Sequence, residues 1–230
     1  MRMILKILRA TITVSVMIAL AWGGYQGFLF YQKTIQEKET LKKIIARLEA
    51  DSRIAEVLVT RVVVDPLTQK DMTTIKFLEY DSKGRALTPK YFTFSGDIIQ
   101  FQSLVVRFDD ELIRGQDALR GKSAYLFWKV FLLDGARTQE YAITRLHEVP
   151  AGYRLDEAPH EVEKGIWQKF WVYALDGQKA LSRGIKNAQI EAPGTKFIPG
   201  ILYTLRIEHD GGIRIDTQKI PEILRGETIY

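Results

Sequence analysis

The sequence predicts a mainly β fold, sandwich- or barrel-like, preceded by a transmembrane helix and an α-helical stalk. Three observations lead to it. Ala10 to Phe30 is an apolar run without a single charge. From Lys33 the apolar residues recur at helical spacing. From Glu56 onward the pattern becomes that of strands, interrupted at short intervals by Asp, Gly and Pro. The expected layout is a short basic tail at 1–9, a transmembrane helix at 10–31, a helical stalk or linker at 32–56, and a soluble β-rich domain at 57–230. If that domain is two small modules, the division falls near 120–123.

The first element rests on length and flanks. About 20 apolar residues cross roughly 30 Å of hydrocarbon, and Ala10–Phe30 has that length. Arg2, Lys6 and Arg9 precede it, and Trp22, Tyr25 and Tyr31 sit toward its far end, where amphipathic rings favour an interface. Ala19-Leu20-Ala21 resembles a signal-peptide cleavage site, but apolar residues continue past it, so an uncleaved signal anchor is the expectation. The basic tail places the N-terminus inside. Lys33, Lys38, Lys42, Lys43 and Arg47 on the other flank point the opposite way, but a large domain translocates largely regardless of charge. The expected location is therefore the inner membrane, single-pass, with a periplasmic domain. Thr11, Ser15, Ala19, Gly23 and Gly27 repeat every fourth position, a small-residue ladder that lets a second helix approach closely.

The second element is the stalk. Leu41, Ile44, Ile45, Leu48, Ala55 and Leu58 mark one helical face, and Glu39 with Lys43 forms a favourable pair one turn apart. Leu41, Ile45 and Leu48 are the candidate packing residues. The face spans only about three heptads, so a coiled-coil dimer competes with a linker helix packed on its own β domain.

In the third element, Val57, Val59 and Val62–Val64 are β-branched and stop at Asp65-Pro66. Further strands are expected at Thr73–Tyr80, Tyr91–Phe94, Ile98–Phe108, Ala124–Leu133 and Gln139–His147. A hairpin is expected where Leu202–Glu208 meets Ile213–Asp216 across His209-Asp210-Gly211-Gly212. Helical pieces are expected at Asp110–Arg120 and around Ala180–Ile185. Phe127-Trp128, Leu133-Asp134-Gly135 and Pro150 recur in order as Phe170-Trp171, Leu175-Asp176-Gly177 and Pro193, the pattern of a weak internal repeat.

Composition narrows the chemistry. The chain has 230 residues, 46% hydrophobic and 27% charged, which is ordinary for a folded protein. Net charge is +5, with part of the excess beside the anchor, so nucleic acid is not an expected partner. The absence of cysteine excludes disulfides, thiolate catalysis and Cys-based zinc sites. His147, His160 and His209 lack metal-ligand spacing, even with Glu157, Glu161 and Glu163 around His160. Asp109, Asp110 and Glu111 are better read as a helix start than as a carboxylate centre. There is no serine-elbow, phosphate-loop or dinucleotide motif.

Trp167, Trp171 and Tyr173 fall on one side of a strand read with period two, as core or as a low-ranked ligand surface. The expected function is that of a membrane-anchored, non-enzymatic interaction or scaffolding protein of the cell envelope, without cofactor. Its partners would be the lipid bilayer and a membrane or envelope protein, with a second copy of itself in a homodimer as one candidate for the latter. A glycan- or lipid-binding module on aromatic strands is the alternative, and a carboxylate-dependent hydrolase a weaker one. A large apolar patch or a free sheet edge would favour a protein partner.

Overall fold

One long helix precedes the strands. The structure, a computed structural model, describes residues 2–48, 53–108, 123–134, 137–155, 161–182, 185–191, 194–208 and 212–221. The chain divides into two units, Met1–Lys42 and Lys43–Tyr230.

The first unit is helix. α1 runs Arg2–Leu48 without interruption, so the expected transmembrane helix and stalk are one element. The membrane assignment is corrected: among the described residues no helix is long and apolar enough to cross a membrane. The physical reason lies in the second half of the run. Trp22-Gly23-Gly24-Tyr25-Gln26-Gly27 contains no aliphatic side chain, and Gln26 would carry a polar amide into hydrocarbon. The single-pass inner-membrane location, signal anchor and periplasmic domain rested on that span and are corrected with it.

The second unit is mainly β, as expected, and is built from two antiparallel sheets. The strands are β1 Arg53–Val64, β2 Asp71–Glu79, β3 Lys90–Phe94, β4 Ile98–Phe108, β5 Ser123–Asp134, β6 Arg137–Ala142, β7 Ile185–Glu191, β8 Thr195–Lys196, β9 Ile201–Ile207 and β10 Ile213–Lys219. One sheet has the order β10-β9-β1-β2-β3. The other has the order β6-β5-β4-β7, with β8 pairing β4. Strand begins at Arg53, where a stalk to 56 is expected. Arg53, Ala55, Val57 and Val59 are buried in strict alternation, a period of two that Ala55 and Leu58 alone do not reveal.

Two apolar cores result. The first lies between the sheets: Val57, Ile75, Phe77, Phe94 and Leu205 from one, Phe101, Val105 and Phe127 from the other. The second covers the outer face of β4 and β5, where Leu104, Val106, Leu126 and Trp128 meet the helix α2 (Glu161–Leu175). Ile44, near the end of α1, joins this second core. β5 is thus buried on both faces, which explains its continuous apolar run. A bulge at Trp128 lets Tyr125 and Phe127, then Val130 and Leu132, all face the inner core.

The strand expected around Trp167–Tyr173 is helix, and that expectation is corrected. Trp167, Phe170, Trp171 and Ala174 are buried at spacings of three, one and three, one stripe of an α-helix. The internal repeat falls with it, because Phe127-Trp128 lies in a strand and Phe170-Trp171 in a helix. Asp176 caps the short α3 (Gly177–Leu181) by accepting from the Lys179 amide. The helix expected at Asp110–Arg120 lies outside the described residues.

Candidate interaction surface

Among the described residues the most exposed large apolar side chain, Leu67, stands at the tip of the β1–β2 hairpin. Asp65 organises its turn: its carboxylate accepts from the Leu67 amide at 3.0 Å and from the Thr68 hydroxyl at 2.6 Å. Those two bonds, that from Thr68 first, hold the Asp65 carboxyl below its ordinary range. The Asp65 amide donates to the Lys70 carbonyl and the Gln69 amide to the Asp65 carbonyl. Gln69 closes the turn in the left-handed region, φ 56°, with its side-chain amide donating to the Pro66 carbonyl. A left-handed residue at this point is the mark of a bulged turn that sets hairpin register.

Register determines what the tip offers. Val62, Val63 and Val64 face Thr73, Met72 and Asp71. β9 lies along β1 only from Arg53 to Leu58, and β3 lies along β2 only from Thr73 to Phe77. From Val59 to Val64, therefore, β1 has no strand on its second side among the described residues. Bonded and non-bonded pairs alternate along an antiparallel ladder. Because Asp65 and Lys70 are a bonded pair, Val63 and Met72 are the next, and the main-chain groups of Val62 and Val64 point to the open side. The side chains are open too: Val62 is 42% exposed, Val63 41%, Val64 57% and Leu67 92%. Edges in folded proteins are ordinarily blunted by charge or proline; here three consecutive valines occupy one.

The buried charges lie at the other end of β1. The Arg53 guanidinium is buried, pairs with Glu79 at 2.5 Å, and lies 4.7 Å from the centre of the Tyr153 ring. Burial works against its charge, but Glu79 and its neighbours outweigh this and raise its pKa. Tyr153, from the 3-10 turn Ala151–Tyr153, has its hydroxyl between the amide and carbonyl of Tyr125. The Lys90 ammonium donates to the Ile143 carbonyl, and burial lowers its pKa despite Glu79 and Glu148 nearby. Every charge here is held by a partner inside the fold. The cluster locks the start of β1 to the segment before α2.

The residues singled out from sequence are placed as follows. Ser15, Ala19, Gly23 and Gly27 are exposed on α1, and a Cβ at Gly23 or Gly27 would meet nothing within 4 Å. Met17, Ile18, Leu20, Trp22, Phe28 and Phe30 are exposed on the same helix. The side chains of Thr11, Leu41, Ile45 and Leu48 lie outside the described residues. Trp167 and Trp171 are buried and Tyr173 is partly buried, so they form no surface platform. Trp171 donates its indole N–H to the Glu148 carbonyl. Glu163, also buried, accepts from the Leu155 amide. His147 is exposed at φ 63°. Asp109, Asp110, Glu111, Glu157, His160 and His209 lie outside the described residues. Among the described residues no group of three His, Asp or Glu side chains could hold a metal ion.

Val62–Val64 are legible as a strand, but their open edge is not. It depends on where β9, far along the chain, stops pairing. No family model, curated protein or solved structure matches the chain.

Proposed function

We propose that this chain is a non-enzymatic protein-interaction module that uses the β1–β2 hairpin as its docking edge. One observation carries the reading: Val62, Val63 and Val64 are exposed on a strand whose second edge is unpaired among the described residues. A strand with open main-chain groups accepts another strand by forming the missing ladder bonds, and its side chains select the partner. An isolated two-stranded ribbon is marginal in water, so an added strand also steadies the tip. The exposed apolar residues of α1 support the reading as a second contact surface. Glycan or lipid recognition by aromatic strands finds no support, since Trp167 and Trp171 are core residues of a helix.

The test is in-cell photo-crosslinking of the full chain, with a photoreactive phenylalanine analogue at Val63, at Phe28 and, as a control, at exposed Val172 on α2. A polypeptide adduct at Val63 well above the Val172 control is the expected result. No polypeptide at Val63 above the Val172 control would overturn the reading, and adducts only to lipid at Phe28 would remove α1 as its second contact surface.

A further inference from the structure

We infer that the strand docking on this edge is β1 of a second copy of the chain, running antiparallel with Val63 on the two-fold axis. The inference rests on the docking-edge reading and adds the identity of the occupant. It follows from the alternation of main-chain groups and from the order of charges along the edge.

The groups pointing to the open side belong to Val62 and Val64, so a pairing strand must meet them with outward-pointing groups of its own. If that strand is another β1, even-numbered residues must face even-numbered residues. Three registers within the ribbon satisfy this: Val62 facing itself, Val62 facing Val64, and Val64 facing itself. The last places Pro66 opposite Val62, and proline has no amide to donate to a ladder. The first sets Arg61 against Val63 and leaves the arginine without a counter-charge. The middle register sets Val63 against Val63, Val62 against Val64, and Arg61 against Asp65, and the axis repeats each of the last two pairs.

Arg61 is exposed at one end of the valine run, and Asp65 stands at the other with an ionised carboxylate. The edge therefore carries opposite charges at equal distances on either side of Val63, the arrangement a self-pairing strand needs. Cross-strand pairs of opposite charge and of β-branched residues both favour such a ladder. The bulge at Thr60 ends the straight ribbon on one side, and the turn at Asp65 ends it on the other. A ladder this short buries less than about 1,200 Å², the size of a transient association.

The chain contains no cysteine, so single cysteines report the register directly. Full-length Val62→Cys, Val63→Cys and Val64→Cys variants are oxidised under mild conditions and the disulfide dimer is timed. Residues facing each other at a non-bonded antiparallel pair lie about 4.5 Å apart at Cα, inside the roughly 4.4–6.8 Å range of disulfides. Residues offset by two positions lie about 7–8 Å apart.

Val63→Cys is expected to form dimer at least tenfold faster than either of the others alone. An equimolar mixture of Val62→Cys and Val64→Cys is expected to give the mixed dimer at a rate close to that of Val63→Cys. Adding Arg61→Glu to Val63→Cys sets two carboxylates opposite each other and is expected to slow dimer formation about tenfold. Since these side chains are exposed, an unchanged urea midpoint for each variant confirms that folding is intact. Equal rates at the three positions, or no slowing by Arg61→Glu, would overturn the self-pairing. If Val63→Cys fails to dimerise while the photoreactive group at Val63 captures a different polypeptide, the self-pairing falls and the docking edge stands. If neither gives a product, both fall.

Discussion

Replacing Gly152 with alanine places a methyl group where the Arg53 guanidinium lies. A Cβ built on Gly152 would stand 1.6 Å from Arg53 Nη2, 2.5 Å from Cζ and 2.7 Å from Nη1. Contacts below 3.0 Å are essentially never found, so Nη2 must retreat by at least 3.0 − 1.6 = 1.4 Å. Glu79 at 2.5 Å and the Tyr153 ring at 4.7 Å leave little freedom for that movement. The Arg53 side chain is 1% exposed and that of Glu79 13%, so water cannot readily replace a broken pair. Removing one partner of a buried pair costs about 3–5 kcal/mol. Displacement rather than removal puts the expected loss for Gly152→Ala at about 2–4 kcal/mol.

Urea unfolding followed by tryptophan fluorescence measures this loss, because Trp167 and Tyr153 share the second core. With a slope of about 2 kcal/mol/M, the midpoint falls by roughly 1–2 M. Arg53→Met removes the obstructing group, so in that background Gly152→Ala should cost at least about 1 kcal/mol less, a coupling that a double-mutant cycle reads. A Gly152→Ala variant within about 0.5 kcal/mol of the parent, the spread of ordinary surface substitutions, would refute the packing argument.

Two further outcomes follow from the same unit. Trp171→Phe loses the 2.8 Å indole bond to the Glu148 carbonyl, whereas the buried indole nitrogen of Trp167 has no partner among the described residues. Trp171→Phe should therefore destabilise by about 1 kcal/mol more than Trp167→Phe, measured by the same unfolding assay. The Tyr80 hydroxyl, which donates to Glu56 at 2.7 Å, is pushed up to about 12 by burial and then by that carboxylate. Its contribution is full below the unfolded value of about 10 and is lost as pH rises from there toward 12. Ultraviolet titration checks the value, and Glu56→Gln should bring it back toward 10.

Local signals in the sequence identify much of the β unit. Asp65-Pro66 marks a true turn, and so does Asp81, whose carboxylate accepts from the Lys83 and Arg85 amides. The hairpin of β9 and β10 sits where β-branched runs flank a glycine pair. Reading failed where one residue pattern satisfies two periods. Trp167, Phe170 and Trp171 suit a strand of aromatics equally well, and only Ala174 completes the helical stripe. Ala55 and Leu58 extend a helix on paper, but β1 already starts at Arg53.

Ala10–Phe30 carries no charge, but its Trp22–Gly27 stretch has no aliphatic side chain, and among the described residues no helix is long and apolar enough to cross a membrane. Other features were out of reach for a different reason: they join distant positions. The Arg53 guanidinium lies against Gly152, 99 positions away. The open edge at Val62–Val64 exists because β9 ends its pairing at Leu58.

Amide hydrogen exchange at the hairpin tests the docking edge most directly. In dilute protein the Val62 and Val64 amides face the open side, and that of Val63 is bonded to β2. Fast exchange at Val62 and Val64 with slow exchange at Val63 is expected, with protection of Val62 and Val64 that grows at least tenfold as protein concentration is raised. Equal protection of all three amides in dilute protein, or no change with concentration, would contradict it.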